Sequence, residues 1–173
     1  MSAVKTEHIA SFDGTALAVH RVGEGRPVFL LHGLFSSAEM NWIRFGHAAK
    51  LAEAGFEAIM PDLRAHGGSA SPHDPVAYPP GVLVGDVEAV AEELGLAEFD
   101  LVGFSLGART AAAAVVAGLA PRRLVLAIPS HVVGLPEALA MKRPRGRTVA
   151  YVCRGPVCSE PIERLDALSA SRP

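Results

Sequence analysis

The sequence predicts an α/β protein whose doubly wound, mostly parallel sheet is covered by helices on both faces. Two kinds of segment lead to this prediction. Short continuous apolar runs, such as Val28–Leu31 and Leu124–Ile128, are typical of strands that are buried on both faces. Between such runs, apolar residues recur at helical spacing, as at Leu83, Val87 and Val90. Strands that alternate with helices in this way form parallel sheets with a layer of helices on each side.

An antiparallel β-hairpin is predicted at the start of the chain, over residues 7–22. Its turn is Asp13-Gly14, a dipeptide that is common in two-residue hairpin turns. After the first buried strand, Ser36 and Glu39 have the spacing of a capping box, which marks the start of a helix. We therefore expect one continuous helix from Ser36 to about Ala54.

The rest of the predicted core repeats the alternation of strand and helix. Residues 56–60 and 99–103 are apolar runs with the length of buried strands. Residues 70–81 contain four prolines and are expected to form a loop, because proline lacks the backbone donor that regular structure needs. The alanine-rich segment 108–116 favours a helix, and 124–128 predicts one more buried strand.

Composition limits the classes of function. The chain has 173 residues, 50% of them hydrophobic, and its net charge of −2 gives no reason to expect nucleic acid or a membrane surface as a partner. The N-terminus lacks the apolar run of a signal peptide and no segment has the length of a membrane span, so we expect a cytoplasmic protein. Cys153 and Cys158 have no second pair or nearby histidine to complete a zinc site, so neither a metal nor another cofactor is expected.

The motif that indicates chemistry is Gly103-Phe104-Ser105-Leu106-Gly107, which reads G-x-S-x-G. It joins the predicted strand 99–103 to the predicted helix 108–116. A serine at such a tight strand-to-helix turn is pushed clear of the sheet, where a substrate can reach it. The helix N-terminus also directs free N–H groups towards charge that develops beside the serine. Ser105 is therefore the candidate nucleophile.

Two further motifs follow predicted strands, where active sites of doubly wound sheets lie. They are His32-Gly33-Leu34-Phe35 and Asp62-Leu63-Arg64-Ala65-His66-Gly67-Gly68-Ser69. Together with G-x-S-x-G, they resemble in order and spacing the motifs of the α/β-hydrolase fold family, over residues 7–129. The second is close to the family's D-x-R-G-x-G-x-S pattern, with Ala65 where glycine is usual.

The resemblance implies a role for the residues around the nucleophile. Ser105 would be the nucleophile of a serine hydrolase, and the backbone N–H of Leu106 would be one donor of its oxyanion hole. The other donor would be the N–H of Leu34 or Phe35. Such donors stabilise the negative charge of a tetrahedral intermediate without having to reorganise.

The resemblance also gives His32 and Asp62 a structural role. In the family, the histidine at the position of His32 orients the oxyanion loop and does not move protons. Asp62 and His66 are interpreted in the same way, as residues that hold their own loop.

The acid and the base that normally activate the serine do not occur in the expected order. A serine hydroxyl is a poor nucleophile without a base, and in the family an acid and then a histidine follow the serine. After Ser105 the sequence has one histidine, His131, and no acidic residue lies between the two. Two interpretations stay open: a rearranged Ser105–His131 dyad oriented by Glu137 or Asp166, or a loop histidine without a catalytic role.

The chain divides into a core over residues 1–129 and a divergent tail over 130–173, in which we expect a strand at 148–153 and a short helix. Residues 150–158 are weakly similar to the C-terminus of the spermatogenesis-associated-type proteins that have a thioredoxin-like domain. The resemblances imply an incomplete hydrolase core joined to a foreign tail, or a divergent hydrolase with a shortened C-terminal half. The sheet edge left uncovered in either case is expected to favour self-association.

Two functions remain open. The first is an esterase- or lipase-like serine hydrolase that cleaves an acyl bond in a small substrate. The second is a catalytically impaired or inactive hydrolase-like fragment, such as a binding module or a truncated or fused product. The two functions differ in whether another acid and another base activate the serine, because the usual pair does not occur in order.

Overall fold

A computed structural model gives the architecture of the chain and describes residues 3–128, 149–154 and 157–158. Strands and helices alternate through its centre, as the sequence predicts. The elements follow in this order along the chain: β1 (Lys5–Ala10), β2 (Ala16–Val22), β3 (Arg26–Leu31), a π-helical segment (Glu39–Ile43), α1 (His47–Glu53), β4 (Phe56–Pro61), a 3₁₀ turn (Pro75–Ala77), α2 (Val82–Glu93), β5 (Asp100–Phe104), α3 (Leu106–Ala117), β6 (Arg123–Ile128), β7 (Val149–Arg154) and β8 (Val157–Cys158).

The eight strands of the described residues form one mixed sheet in the order β1-β2-β4-β3-β5-β6-β7-β8. The four central strands, β4, β3, β5 and β6, run parallel to one another. An antiparallel pair lies at each edge, β1 with β2 on one side and β7 with β8 on the other. The predicted α/β fold that begins with an antiparallel hairpin is therefore confirmed, and its parallel part consists of the central four strands.

The central strands are buried on both faces. In β3, Phe29 and Leu31 pack with residues of α2 and α3, whereas Val28 and Leu30 pack with α1 on the opposite face. All four side chains are at most 5% exposed. Because neither face of the strand meets water, its sequence is a continuous apolar run instead of an alternating one. Full burial of each such side chain stabilises the fold by about 1.5–3 kcal/mol.

The continuous helix expected from Ser36 to Ala54 is wrong in its first half. The structure has the short π-helical segment there, and α1 begins only after Gly46, which has φ 75°. A residue in this left-handed conformation cannot continue a right-handed helix, so the helical path is interrupted. The capping box of Ser36 and Glu39 is not formed either, because the N-cap of the π-helical segment is Ala38, whose side chain has no acceptor.

The strand predicted in the tail forms within one residue of its expected position. This strand, β7, pairs with β6 and places Ala150 opposite Ala127, so it belongs to the same sheet as the core. The uncovered edges of the described sheet are thus β1 and β8, and self-association through an edge stays a prediction. The short helix expected in the tail lies outside the described residues, and the division at residue 129 also stays a prediction.

Candidate active site

The turn that carries Ser105 is a sharp junction between β5 and α3. Ser105 has φ 53° and ψ −111°, a conformation that non-glycine residues avoid. Its backbone N–H donates to the carbonyl of Ala127 at 2.9 Å, and its carbonyl accepts from the N–H of Arg109 at 3.1 Å. Bonds to β6 on one side and to α3 on the other therefore hold the strained residue in place.

The two glycines of the motif leave no room for a side chain. A Cβ atom on Gly103 would lie 2.4 Å from the carbonyl oxygen of Gly107, and one on Gly107 would lie 2.2 Å from that of Leu31. Both obstacles are backbone atoms of packed elements, which cannot rotate away. The glycines are therefore required because α3 approaches β5 and β3 very closely.

The loop after β3 passes directly beside Ser105. A Cβ atom on Gly33 would lie 3.5 Å from the Cβ of Ser105 and 3.0 Å from the ring of Phe104. Leu34 and Phe35 follow and are 54% and 93% exposed. Within the described residues, neither of their backbone N–H groups takes part in a hydrogen bond. The structure thus brings the predicted oxyanion loop next to the predicted nucleophile.

Leu106 is the first residue of α3 and directly follows Ser105. The first four N–H groups of a helix have no partner within the helix, and the helix dipole adds positive potential there. An oxygen bound beside Ser105 would therefore have N–H groups on two sides, from α3 and from the loop after β3. Which of these groups donate to a substrate stays a prediction.

His32 is fully buried, and two backbone groups hold its ring. Its Nε2 accepts from the N–H of Leu63 at 2.9 Å, so the proton is on Nδ1, which donates to the carbonyl of Gly33 at 2.8 Å. Burial lowers the pKa of His32, which keeps the ring neutral. With both nitrogens in use, His32 joins the loops after β3 and β4.

Asp62 connects the same two loops. Its carboxylate accepts from the N–H of Ala38 at 2.7 Å and of Gly68 at 2.8 Å, and it lies 3.1 Å from Nε2 of His20. Burial opposes ionisation, but the bonds from His20 and the two N–H groups outweigh it, so the pKa of Asp62 is lowered. Gly67 is required beside it, because a Cβ there would lie 2.1 Å from the carboxylate.

The sequence analysis did not predict the contacts of two polar residues in and near these loops. Asn41 accepts the N–H of Gly33 through its Oδ1 at 2.8 Å. Arg64 is buried and donates to Asp86 at 3.0 Å and to Asp13 at 2.9 Å. Asp86 and Asp13 are 22 and 51 residues away from Arg64 in the sequence, so no local spacing could have signalled the pairs.

The remaining predicted site residues cannot be placed. His131, Glu137 and Asp166 lie outside the described residues, and a Ser105–His131 dyad stays a prediction.

Among the residues that the structure describes, no three His, Cys, Asp or Glu side chains are grouped so that they could hold a metal ion. The helices in the same part of the chain are too short or too polar to cross a membrane.

Known proteins are similar to this chain in sequence and in fold. A family model for the alpha/beta hydrolase fold matches residues 26–126. Epoxide hydrolase 3 from Siraitia grosvenorii is 38% identical over 104 residues, which are 59% of this chain and 32% of that protein. An epoxide hydrolase from Caballeronia sordidicola is 36% identical over 105 residues, which are 61% of this chain and 31% of that protein.

A solved structure with a similar fold is an esterase (EaEST) from Exiguobacterium antarcticum. It has a TM-score of 0.65 and 28% sequence identity, and the match covers 71% of this chain and 45% of that one. The chain spans about a third of the length of the curated relatives it matches. The family model covers more than half of the chain and includes the three motifs at His32, Asp62 and Ser105. The chain therefore belongs to the α/β-hydrolase fold family.

Proposed function

We propose that the chain is a serine hydrolase that cleaves an acyl bond in a small substrate, with Ser105 as the nucleophile. The observation that supports this most is the strained turn that holds Ser105 beside the loop at Gly33. Attack of the serine oxygen on an acyl carbon would form a tetrahedral oxyanion. The N–H of Leu106 and that of Leu34 or Phe35 would bind it, and loss of one such donor typically costs about 2.7–4 kcal/mol of barrier.

Epoxide hydrolysis is a second candidate, because relatives of this chain carry that name. The residue at the centre of the motif favours acyl transfer instead. A serine oxygen that opened an epoxide would leave an ether on the protein, and water does not readily cleave an ether. A serine that attacked an ester would leave an acyl ester, which water can hydrolyse in a second step.

The proposal needs a group that takes the proton of the Ser105 hydroxyl. His32 and Asp62 already use their polar atoms to hold the loops after β3 and β4. His131 is the single histidine that follows Ser105 in the sequence, and we propose it as the base. Without a base, oxyanion donors and substrate binding alone still give roughly 10³–10⁴-fold acceleration over water.

A fluorophosphonate probe tests the nucleophile directly, because it forms a stable bond with an activated serine. We expect the wild-type protein to be labelled at Ser105 and the Ser105→Ala variant to remain unlabelled. Turnover of p-nitrophenyl acetate in the same variant should fall to the residual rate that oxyanion donors and binding alone give, roughly 10³–10⁴-fold over water, and circular dichroism checks the fold of the variant. Folded wild-type protein that is neither labelled nor active on esters would leave a binding module as the function.

Two further measurements separate the alternatives. Consumption of styrene oxide that persists in Ser105→Ala, without ester turnover in the wild type, would favour epoxide chemistry by another residue. In His131→Ala we expect ester turnover to fall about 10²–10⁴-fold, the usual contribution of a general base. An unchanged rate in this variant would remove His131 from the mechanism and leave Ser105 in place.

A further inference from the structure

We infer that Asn41 is a positioning residue, which orients the oxyanion loop by binding the backbone N–H of Gly33. The Oδ1 atom of Asn41 accepts this N–H at 2.8 Å. The backbone N–H of Asn41 donates in turn to the carbonyl of Ser37 at 3.0 Å. The π-helical segment that carries Asn41 is therefore hydrogen-bonded to the preceding loop at two points, Gly33 and Ser37. The catalytic part of this inference rests on the proposed function.

The position of Gly33 makes this bond important. Gly33 is buried, and the backbone at this point lies against the side chains of Phe104 and Ser105. A buried N–H without an acceptor is unfavourable, and its peptide group would turn to find another partner. Such a rotation would take place next to the nucleophile, where an oxyanion hole must be rigid to be effective.

Two consecutive peptide groups are fixed in this way. The Asn41 side chain binds the N–H of the peptide between His32 and Gly33, and Nδ1 of His32 binds the carbonyl of the peptide between Gly33 and Leu34. In a planar trans peptide the N–H points away from the carbonyl. The N–H of Leu34 is therefore directed away from His32, and the bond from Gly33 to Asn41 limits rotation of the peptide that precedes it.

The role differs from that of His32 and Asp62, which tie the loop after β3 to the loop after β4. Asn41 acts within the first of these loops, and its hydrogen bonds in the described part of the chain go to Gly33 and Ser37 and not to residues 62–69. Its removal should therefore disturb the direction of the N–H groups near Ser105 more than it disturbs the stability of the sheet.

Amide hydrogen exchange and kinetics of the Asn41→Ala variant test this inference, with Glu39→Ala as the matched control. Glu39 is exposed and lies in the same π-helical segment. In Asn41→Ala we expect exchange of the Gly33 amide to become on the order of 2- to 10-fold faster. The rate of fluorophosphonate labelling at Ser105 and kcat for ester turnover should fall about 10- to 100-fold, while KM changes little.

Asn41→Asp keeps an acceptor oxygen at the same position and should restore slow exchange at Gly33, whereas Glu39→Ala should leave both readouts at the wild-type level. Unchanged Gly33 exchange in Asn41→Ala would overturn the positioning role. Faster exchange with an unchanged labelling rate would overturn its catalytic consequence. A wild-type protein that is not labelled at Ser105 would refute the proposed function and this catalytic part together, while Gly33 exchange would still decide whether Asn41 holds the loop.

Discussion

The turn around Ser105 and the loop after β4 both hold a non-glycine residue at positive φ, but by different means. Ser105 has φ 53° and Ala65 has φ 64°. At the turn, backbone packs against backbone, and only glycine fits at positions 103 and 107. In the loop, the side chain of the buried Arg64 forms ion pairs with two distant segments. The turn thus depends on two positions that have no side chain, whereas the loop depends on the side chain of Arg64.

This difference decides what a sequence reveals about each region. A close approach of two backbones requires glycine at particular positions, and the requirement appears as a local pattern such as G-x-S-x-G. A buried guanidinium requires carboxylates, but Asp13 comes from the hairpin and Asp86 from α2. No local pattern contains all three residues. The turn can therefore be predicted from the sequence, whereas the ion pairs that support the loop cannot.

Removing the buried guanidinium should have the largest effect on stability. We expect Arg64→Met to lower the free energy of unfolding by about 3–5 kcal/mol, because Asp86 would keep a buried negative charge with only the hydroxyl of Ser11, and no cation, beside it. Asp86 is only 2% exposed. The control is Arg122→Met, whose exposed pair with Glu98 should contribute at most about 1 kcal/mol. Urea denaturation measures both, and equal losses would show that the loop does not depend on its buried ion pairs.

A methyl group at the closest backbone contact should have the next largest effect. We expect Gly107→Ala to destabilise the fold by about 3 kcal/mol, because the new atom would overlap the carbonyl of Leu31. Gly46→Ala is the control: its φ is 75° and nothing lies within 4 Å of the built Cβ, so only backbone strain of about 1–2 kcal/mol is expected. If both variants lose the same amount in thermal unfolding, close packing is not what requires glycine at the turn.

Acid should weaken the link between the two loops, through His32. Burial lowers the pKa of His32, so the unfolded chain, in which histidine titrates near about 6.5, binds the proton more readily than the folded one. The stability that this residue contributes is present above about pH 6.5 and is lost as the pH falls towards its folded pKa. The change should be smaller than in the two substitutions, because only one proton is bound.

The measurement compares free energies of unfolding at about pH 7.5 and about pH 5.5. The His32→Gln variant should lose less stability between these conditions than the wild type does. His73 is exposed, and His73→Gln should retain the wild-type dependence. An identical pH dependence in His32→Gln and the wild type would mean that the buried ring is not the group that takes up the proton.

The same division between local and distant causes explains the rest of what could be predicted. Buried strands were found because a strand that is buried on both faces is continuously apolar, as Phe29 and Leu30 on opposite faces of β3 show. The break at Gly46 was missed because the sequence does not show whether an isolated glycine within a helical pattern has a positive or a negative φ. The contacts of Asn41 and His20 were missed because they depend on how loops meet in three dimensions. Ser105 itself was found because the two glycines that its turn requires lie within two residues of it.

The smallest effect on stability is expected at Ala65, which has a positive φ as Ser105 does. The family pattern usually has glycine at this position, and φ 64° explains the preference, since a left-handed conformation costs other residues about 1–2 kcal/mol. Ala65→Gly removes this strain but adds freedom to the unfolded chain, worth about 0.5–1 kcal/mol, so we expect a net stabilisation of about 0.5–1 kcal/mol. Ala70→Gly, at the residue whose carbonyl accepts from Ala65, should only destabilise. If Ala65→Gly also lowers the melting temperature, the conformation of this loop is not strained, and Ala65 is held there without cost by the buried bonds of Arg64 and Asp62.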